Sequence, residues 1–177
     1  MLDMVEAHWS FMDRFADQLI LRGPTLSDDG AEHTGSVHVV DLADRADAER
    51  FATEEPFWQA GLYRQVTTVR VAVPFRREPN GGSRASEVPS ALVTGRWAPK
   101  PLVGGGADLR SLDVDPDSRL HFLAVLVDDD ASRTTGIVAV VRALPDEAVP
   151  VLQPFADRFA GEPVALTAQR WSRGGRS

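Results

Sequence analysis

Along the first stretch of the chain, the apolar residues Met4, Phe11, Met12, Phe15 and Leu19, with the half-apolar His8, recur mostly at three- and four-residue steps. That spacing gathers them on one helical face. It predicts a first helix of about five turns, ended at Gly23-Pro24 because proline disfavours a helical residue before it and lacks an N–H. Thr25 to Ser27 then reads as a short strand running into the turn Asp28-Asp29-Gly30, and the β-rich Ser36 to Leu42 as the returning strand. Asp44 to Thr53 carries alanines and charges at helical spacing, with Asp44 as N-cap; Phe57 to Leu62 adds another turn and Gln65 to Val73 a closing strand.

Beyond Arg76 the pattern breaks. RREPNGGSRASEVPS has the glycine, serine and proline content of a flexible linker. The expected organisation is therefore a first unit over residues 1–78, a linker over 79–89 and a second unit over 90–177. In the second unit, strands are expected over Ala91 to Trp97, Arg119 to Val127, Thr135 to Val141 and Pro163 to Trp171. Residues 108–113 are an ambiguous helix or loop. Pro145 to Phe159 reads as a helix that Pro150 and Pro154 kink or shorten, with Leu144 just outside it.

The halves resemble one another. Thr25 to Val40 lies over Val125 to Val141 with one inserted residue, and nine of sixteen aligned positions are identical, among them Asp28/Asp128, Asp29/Asp129, Thr34/Thr135 and Gly35/Gly136. This points to a tandem repeat of a β-α-β-β-α-β unit. The second copy lacks a convincing first helix and the first copy lacks its first strand.

Composition narrows the chemistry. The chain is 43% hydrophobic over 177 residues, enough for one ordinary or two small buried cores. A net charge of −7 does not suit a grip on nucleic-acid phosphates. With no cysteine there is no disulfide, thiolate metal site or cysteine nucleophile. Asp3, Glu6, His8, Asp13, Arg14 and Asp17 interrupt the opening segment, so no signal peptide or membrane span is expected there, and the expected location is the cytoplasm.

His8 on its helix, Gly23-Pro24 entering a strand, Gly35-Ser36 opening the next, and Pro56-Phe57 with Ala60-Gly61 after the second helix stand in the order and spacing of one family. Over about residues 5–72 the chain resembles the YciI-like (YCII) family. That resemblance implies a ferredoxin-like unit that pairs with another as a dimeric α+β barrel, with a pocket between helix and sheet and proton-transfer chemistry on a small molecule. The expected fold class is thus α+β, two ferredoxin-like units packed as an internal pseudo-dimer, the chain itself a monomer or a homodimer. Relatives carry Asp-Pro-Phe where this chain has Glu55-Pro56-Phe57, which keeps the charge on a longer arm. They also begin with a strand whose end bears an acidic residue near the histidine; its absence here implies an N-terminal truncation. The second copy keeps neither the helical histidine nor Asp-Pro-Phe and reads as a degenerate barrel partner.

The candidate catalytic residues are His8, Glu55 and Ser36. A neutral imidazole oriented by a carboxylate can act as a base near pH 7; alternatively His8 is a core-edge residue bonded to a backbone carbonyl. Ser36 and His38, two apart on a strand, share one side of the sheet, which either lines the pocket or packs elsewhere. Trp9 and Trp58 are candidate binding residues, although core packing explains all four tryptophans. No histidine pair has metal-ligand spacing and no phosphate loop follows Gly104-Gly105-Gly106, so neither metal nor cofactor is expected. Two functions remain open: a lyase or isomerase moving a proton through His8, and a non-catalytic ligand-binding or scaffold protein that retains the fold.

Overall fold

The computed structural model describes residues 2–77, 89–102, 114–115 and 118–175. The Gly104-Gly105-Gly106 run, the 108–113 segment and all of the expected linker except Pro89 lie outside the described residues. The chain is α+β. Its elements are α1 (Leu2–Asp13), β1 (Leu19–Leu26), β2 (His33–Val40), α2 (Arg45–Glu54), α3 (Pro56–Gln59), β3 (Arg70–Arg76), β4 (Ser90–Pro101), β5 (Leu120–Val127), β6 (Arg133–Val141), α4 (Pro145–Ala160) and β7 (Leu166–Trp171). The hydrogen-bonded strand order is β2-β1-β7-β4-β6-β5-β3. The chain forms two compact units that interleave in sequence: residues 1–24, 34–68 and 173–177 make the first, residues 25–33 and 69–172 the second. No helix among the described residues is long and apolar enough to cross a membrane.

In the first unit, the helix expected to run about five turns stops at Asp13. Tight turns follow, with the N–H of Phe15 on Met12 O, of Ala16 on Asp13 O and of Leu19 on Phe15 O, and Leu19 opens a strand instead. The three- and four-residue spacing persisted past the helix because Phe15 and Leu19 still pack with Phe11, Met12 and Phe51 in one small core. Burial continued while the backbone changed. Leu19-Ile20-Leu21 is then free to join a hairpin, pinned at its base by Asp41 N on Gln18 O at 2.8 Å. Helix α2 begins where the sequence places it: Asp44 is extended and its side chain accepts from Asp47 N at 2.9 Å.

In the second unit, β6 lies between β4 and β5, and β7 lies on the other side of β4, all pairs antiparallel. Strand β3 pairs with β5 and carries a register shift between Ala72 and Phe75, where Pro74 has no N–H to give the ladder. The first part of the expected closing strand, residues 65–69, is irregular. Helix α4 is not shortened by its prolines. Ala148, Leu152, Ala156 and Ala160 recur every fourth residue on its buried face, while Pro150 and Pro154 occupy other positions. Gly161, at φ 72°, ends it in the left-handed conformation that favours glycine. The core of this unit joins that face to Ala91, Val93, Leu120, Leu123, Ile137, Ala139 and Val141.

Two hairpin turns share one hydrogen-bond pattern. Ser27 N bonds Glu32 O at 2.9 Å and Asp128 N bonds Arg133 O at 3.1 Å; Gly30 N bonds Ser27 O and Ala131 N bonds Asp128 O. Asp29 Oδ1 accepts from Ala31 N, as Asp130 Oδ1 accepts from Ser132 N. The residues that superpose in role are therefore Ser27 with Asp128, Asp28 with Asp129 and Asp29 with Asp130. The inserted residue of the alignment belongs before the turn, not after it. The aspartates serve as turn formers, bonding their own backbone.

Candidate active site

A proline builds the site. Pro56 bars the helical conformation at the residue before it, so Glu55 is extended, at φ −63° and ψ 127°, and ends α2 while capping α3. Its Oε2 accepts from Trp58 N at 2.9 Å, the cap bond of α3. Its Oε1 is thereby aimed away from α3, and it lies 2.6 Å from His8 Nδ1 on α1. Both side chains are largely shielded from water, His8 12% and Glu55 5% exposed. Phe57 stacks on the imidazole at 4.3 Å between ring centroids with planes 6° apart.

Around this pair, the Trp9 ring stands edge-on to His8 at 5.2 Å and the His38 ring lies 6.5 Å away. His38 also meets Phe51 at 5.9 Å. Ser36 does not contact the pair: its Oγ donates to Gly23 O at 3.5 Å and bonds the Tyr63 hydroxyl. Trp58 contributes its backbone N–H. His33 is exposed, and no group of three or more His, Asp or Glu side chains converges on a metal position among the described residues.

The electrostatics separate the titratable groups. Burial pushes the Glu55 carboxyl up, but the His8 hydrogen bond, the Phe57 and Trp58 N–H groups and the His8 charge outweigh it, so its pKa lies below the ordinary carboxylate value. Glu55 is thus a carboxylate near neutrality. Burial, and then the charge of His8, press His38 down to about 4 against a counter-pull from Glu55, with Arg22 adding to the fall. His38 is neutral in the same range. Burial and the Glu55 charge raise the Tyr63 phenol, opposed by its bond to Ser36.

A carboxylate on Nδ1 fixes the tautomer in which Nδ1 carries the proton and Nε2 presents a lone pair. The ring plane is held by Phe57. What this arrangement can do is accept a proton at Nε2 while Glu55 stabilises the imidazolium that forms.

Sequence reasoning did not single out three further residues of the region. Phe57 had a signal, since it follows Glu55-Pro56. Tyr63 and Arg22 had none. The Arg22 guanidinium carbon lies 5.5 Å over the Trp9 ring, and its Nη1 is buried without a hydrogen-bond partner among the described residues.

No curated protein and no solved structure matches the chain. Residues 1–72, which hold every side chain of this site, match the family model of the YCII-related domain.

Proposed function

We propose that the first unit is a small-molecule enzyme of lyase or isomerase type, in which His8 Nε2 takes a proton from a carbon acid and Glu55 orients and stabilises the imidazole. The observation that carries this reading is the 2.6 Å bond between His8 Nδ1 and the buried Glu55 carboxylate. A core-edge histidine would satisfy itself on a backbone carbonyl and would not draw a carboxylate out of water, because an isolated buried carboxylate is costly. The pair supports catalysis over the scaffold reading for that reason. The longer glutamate arm is accommodated because its second oxygen is anchored on Trp58 N. Tyr63, kept protonated, is a candidate to donate to developing negative charge.

The order β7-β4-β6-β5 supports a ferredoxin-like reading of the second unit, with α4 joining β6 to β7. The first unit runs helix, strand, strand, helix in the same sequence, and the matched turns favour descent of both from one repeat.

The test is solvent-deuterium incorporation. A panel of carbon acids is incubated with the full chain in heavy water and followed by proton NMR. Exchange that falls by about 10²-fold or more in His8→Gln supports the reading. Exchange on no member of the panel, or exchange indifferent to His8→Gln, contradicts it.

A further inference from the structure

Among the described residues, Arg22 Nη1 is a buried polar side-chain atom without a hydrogen-bond partner, and its guanidinium lies close enough to His38 to act on that ring's charge. A guanidinium stays charged at any ordinary pH, so its buried N–H cannot escape the cost of desolvation by losing a proton. Such an atom calls for a partner from elsewhere. The carboxylate and the second imidazole of the site do not supply one. Glu55 commits Oε1 to His8 and Oε2 to Trp58 N, and His38 is neutral and carries no negative charge to offer.

The position of Arg22 is held by its backbone and by its ring contact. Gly174 N donates to Arg22 O at 2.9 Å, and a Cβ on Gly174 would stand 3.1 Å from Gly23 Cα, a tight approach that a side chain would press on. The guanidinium lies over Trp9, the same ring that stands against His8. A group bound to Arg22 would therefore share the Trp9 ring with His8 and lie within electrostatic reach of His38.

We infer that the site binds a small organic acid whose carboxylate completes the hydrogen bonding of Arg22, beside the His8–Glu55 pair. The planar guanidinium fork matches a carboxylate. A single guanidinium with the Glu55 carboxylate in the same cluster favours a monoanion over a dianionic phosphate, because each added negative charge is repelled by Glu55. The inference names the substrate class for the proton-transfer reading and rests on it for the reaction, though not for binding.

The test uses the full chain with isotope-labelled histidine, titrated with propionate at neutral pH in excess chloride. Saturable shifts of the His8 and His38 ring resonances are expected, with affinity weakened about tenfold or more in Arg22→Gln. No saturable shift in the wild type, equal affinity in Arg22→Gln, or tighter binding of inorganic phosphate than of propionate would overturn it. Thermal unfolding of Arg22→Leu without ligand gives a separate check. A melting temperature at or above that of the wild type fits an unpartnered charge; a clear fall means that Arg22 has a structural partner, and the inference fails. Binding of propionate without deuterium exchange on any acid would sink the proton-transfer reading and leave this one standing. Exchange with undiminished affinity in Arg22→Gln would do the reverse.

Discussion

His8 and Phe57 lie face to face, their ring centroids 4.3 Å apart and their planes within 6° of parallel. Phe57 stands two residues after Glu55, which holds the same imidazole by Nδ1. One short turn thus sets both the plane of the ring and the nitrogen that keeps the proton. The turn owes its shape to Pro56, and the site is organised by a local sequence, Glu55-Pro56-Phe57-Trp58, acting on a helix 47 residues away in the chain.

Glu55 has two structural tasks, and substitutions separate them. Glu55→Ala removes the partner of His8 and the cap of α3 together and is expected to cost about 2–4 kcal/mol. Glu55→Gln keeps an acceptor for Trp58 N and is expected to cost about half as much. Denaturant unfolding of both variants checks the order; equal losses would mean that the cap bond contributes nothing.

The depressed pKa of His38 makes stability depend on pH. The unfolded chain binds a proton on this residue below about 6.5, whereas the folded chain does so only below about 4. Between those values the unfolded state holds more protons, so stability rises with pH across that window and is lost as pH falls through it. The loss attributable to His38 is about 3 kcal/mol when complete. His38→Gln is expected to flatten the upper part of the profile, leaving the lower part to carboxylates such as Glu55. A profile unchanged in the variant would contradict the burial assigned to His38.

The matched turns predict opposite effects of opposite substitutions. Gly30 stands at φ 77° and Ala131, in the equivalent place, at φ 58°. A left-handed residue with a Cβ costs about 1 kcal/mol. Nothing lies within 4 Å of a Cβ built on Gly30, so Gly30→Ala is expected to lose about that much through backbone strain alone. Ala131→Gly is expected to gain up to a similar amount, less the entropy that glycine loses on folding. Thermal melts of the two variants decide it, and a destabilised Ala131→Gly would tell against the strain.

A tighter case lies between β4 and β6. A Cβ on Gly136 would stand 2.5 Å from Gly95 O, a backbone atom that cannot swing aside. Gly136→Ala is expected to cost about 3 kcal/mol by forcing the two strands apart. An unperturbed melting temperature would contradict the register that pairs Arg96 with Gly136.

Much of the fold was legible where local chemistry decides it. Asp44 caps α2 through its own side chain, and the strands β4 to β7 follow their apolar runs. The end of α1 was not legible, because Phe15 and Leu19, partly buried beyond it, still pack on the same small core and keep the helical spacing that such packing produces. Strand β3 was readable as a strand, but its pairing with β5 is a long-range choice that no local pattern encodes. The pairing of Glu55 with His8 was legible from residue type and motif. Arg22 was not, since an arginine in a strand carries no mark of whether its guanidinium will find a partner.

The central claim is that Glu55 holds the proton of His8 on Nδ1 and leaves Nε2 as the base. Long-range nitrogen–proton NMR of the His8 ring, at a pH where the imidazole is neutral, reads this directly. The account predicts a protonated Nδ1 and a bare Nε2 in the wild type, with the tautomers mixing in Glu55→Gln. A proton on Nε2 in the wild type, or a tautomer indifferent to Glu55→Gln, would contradict it.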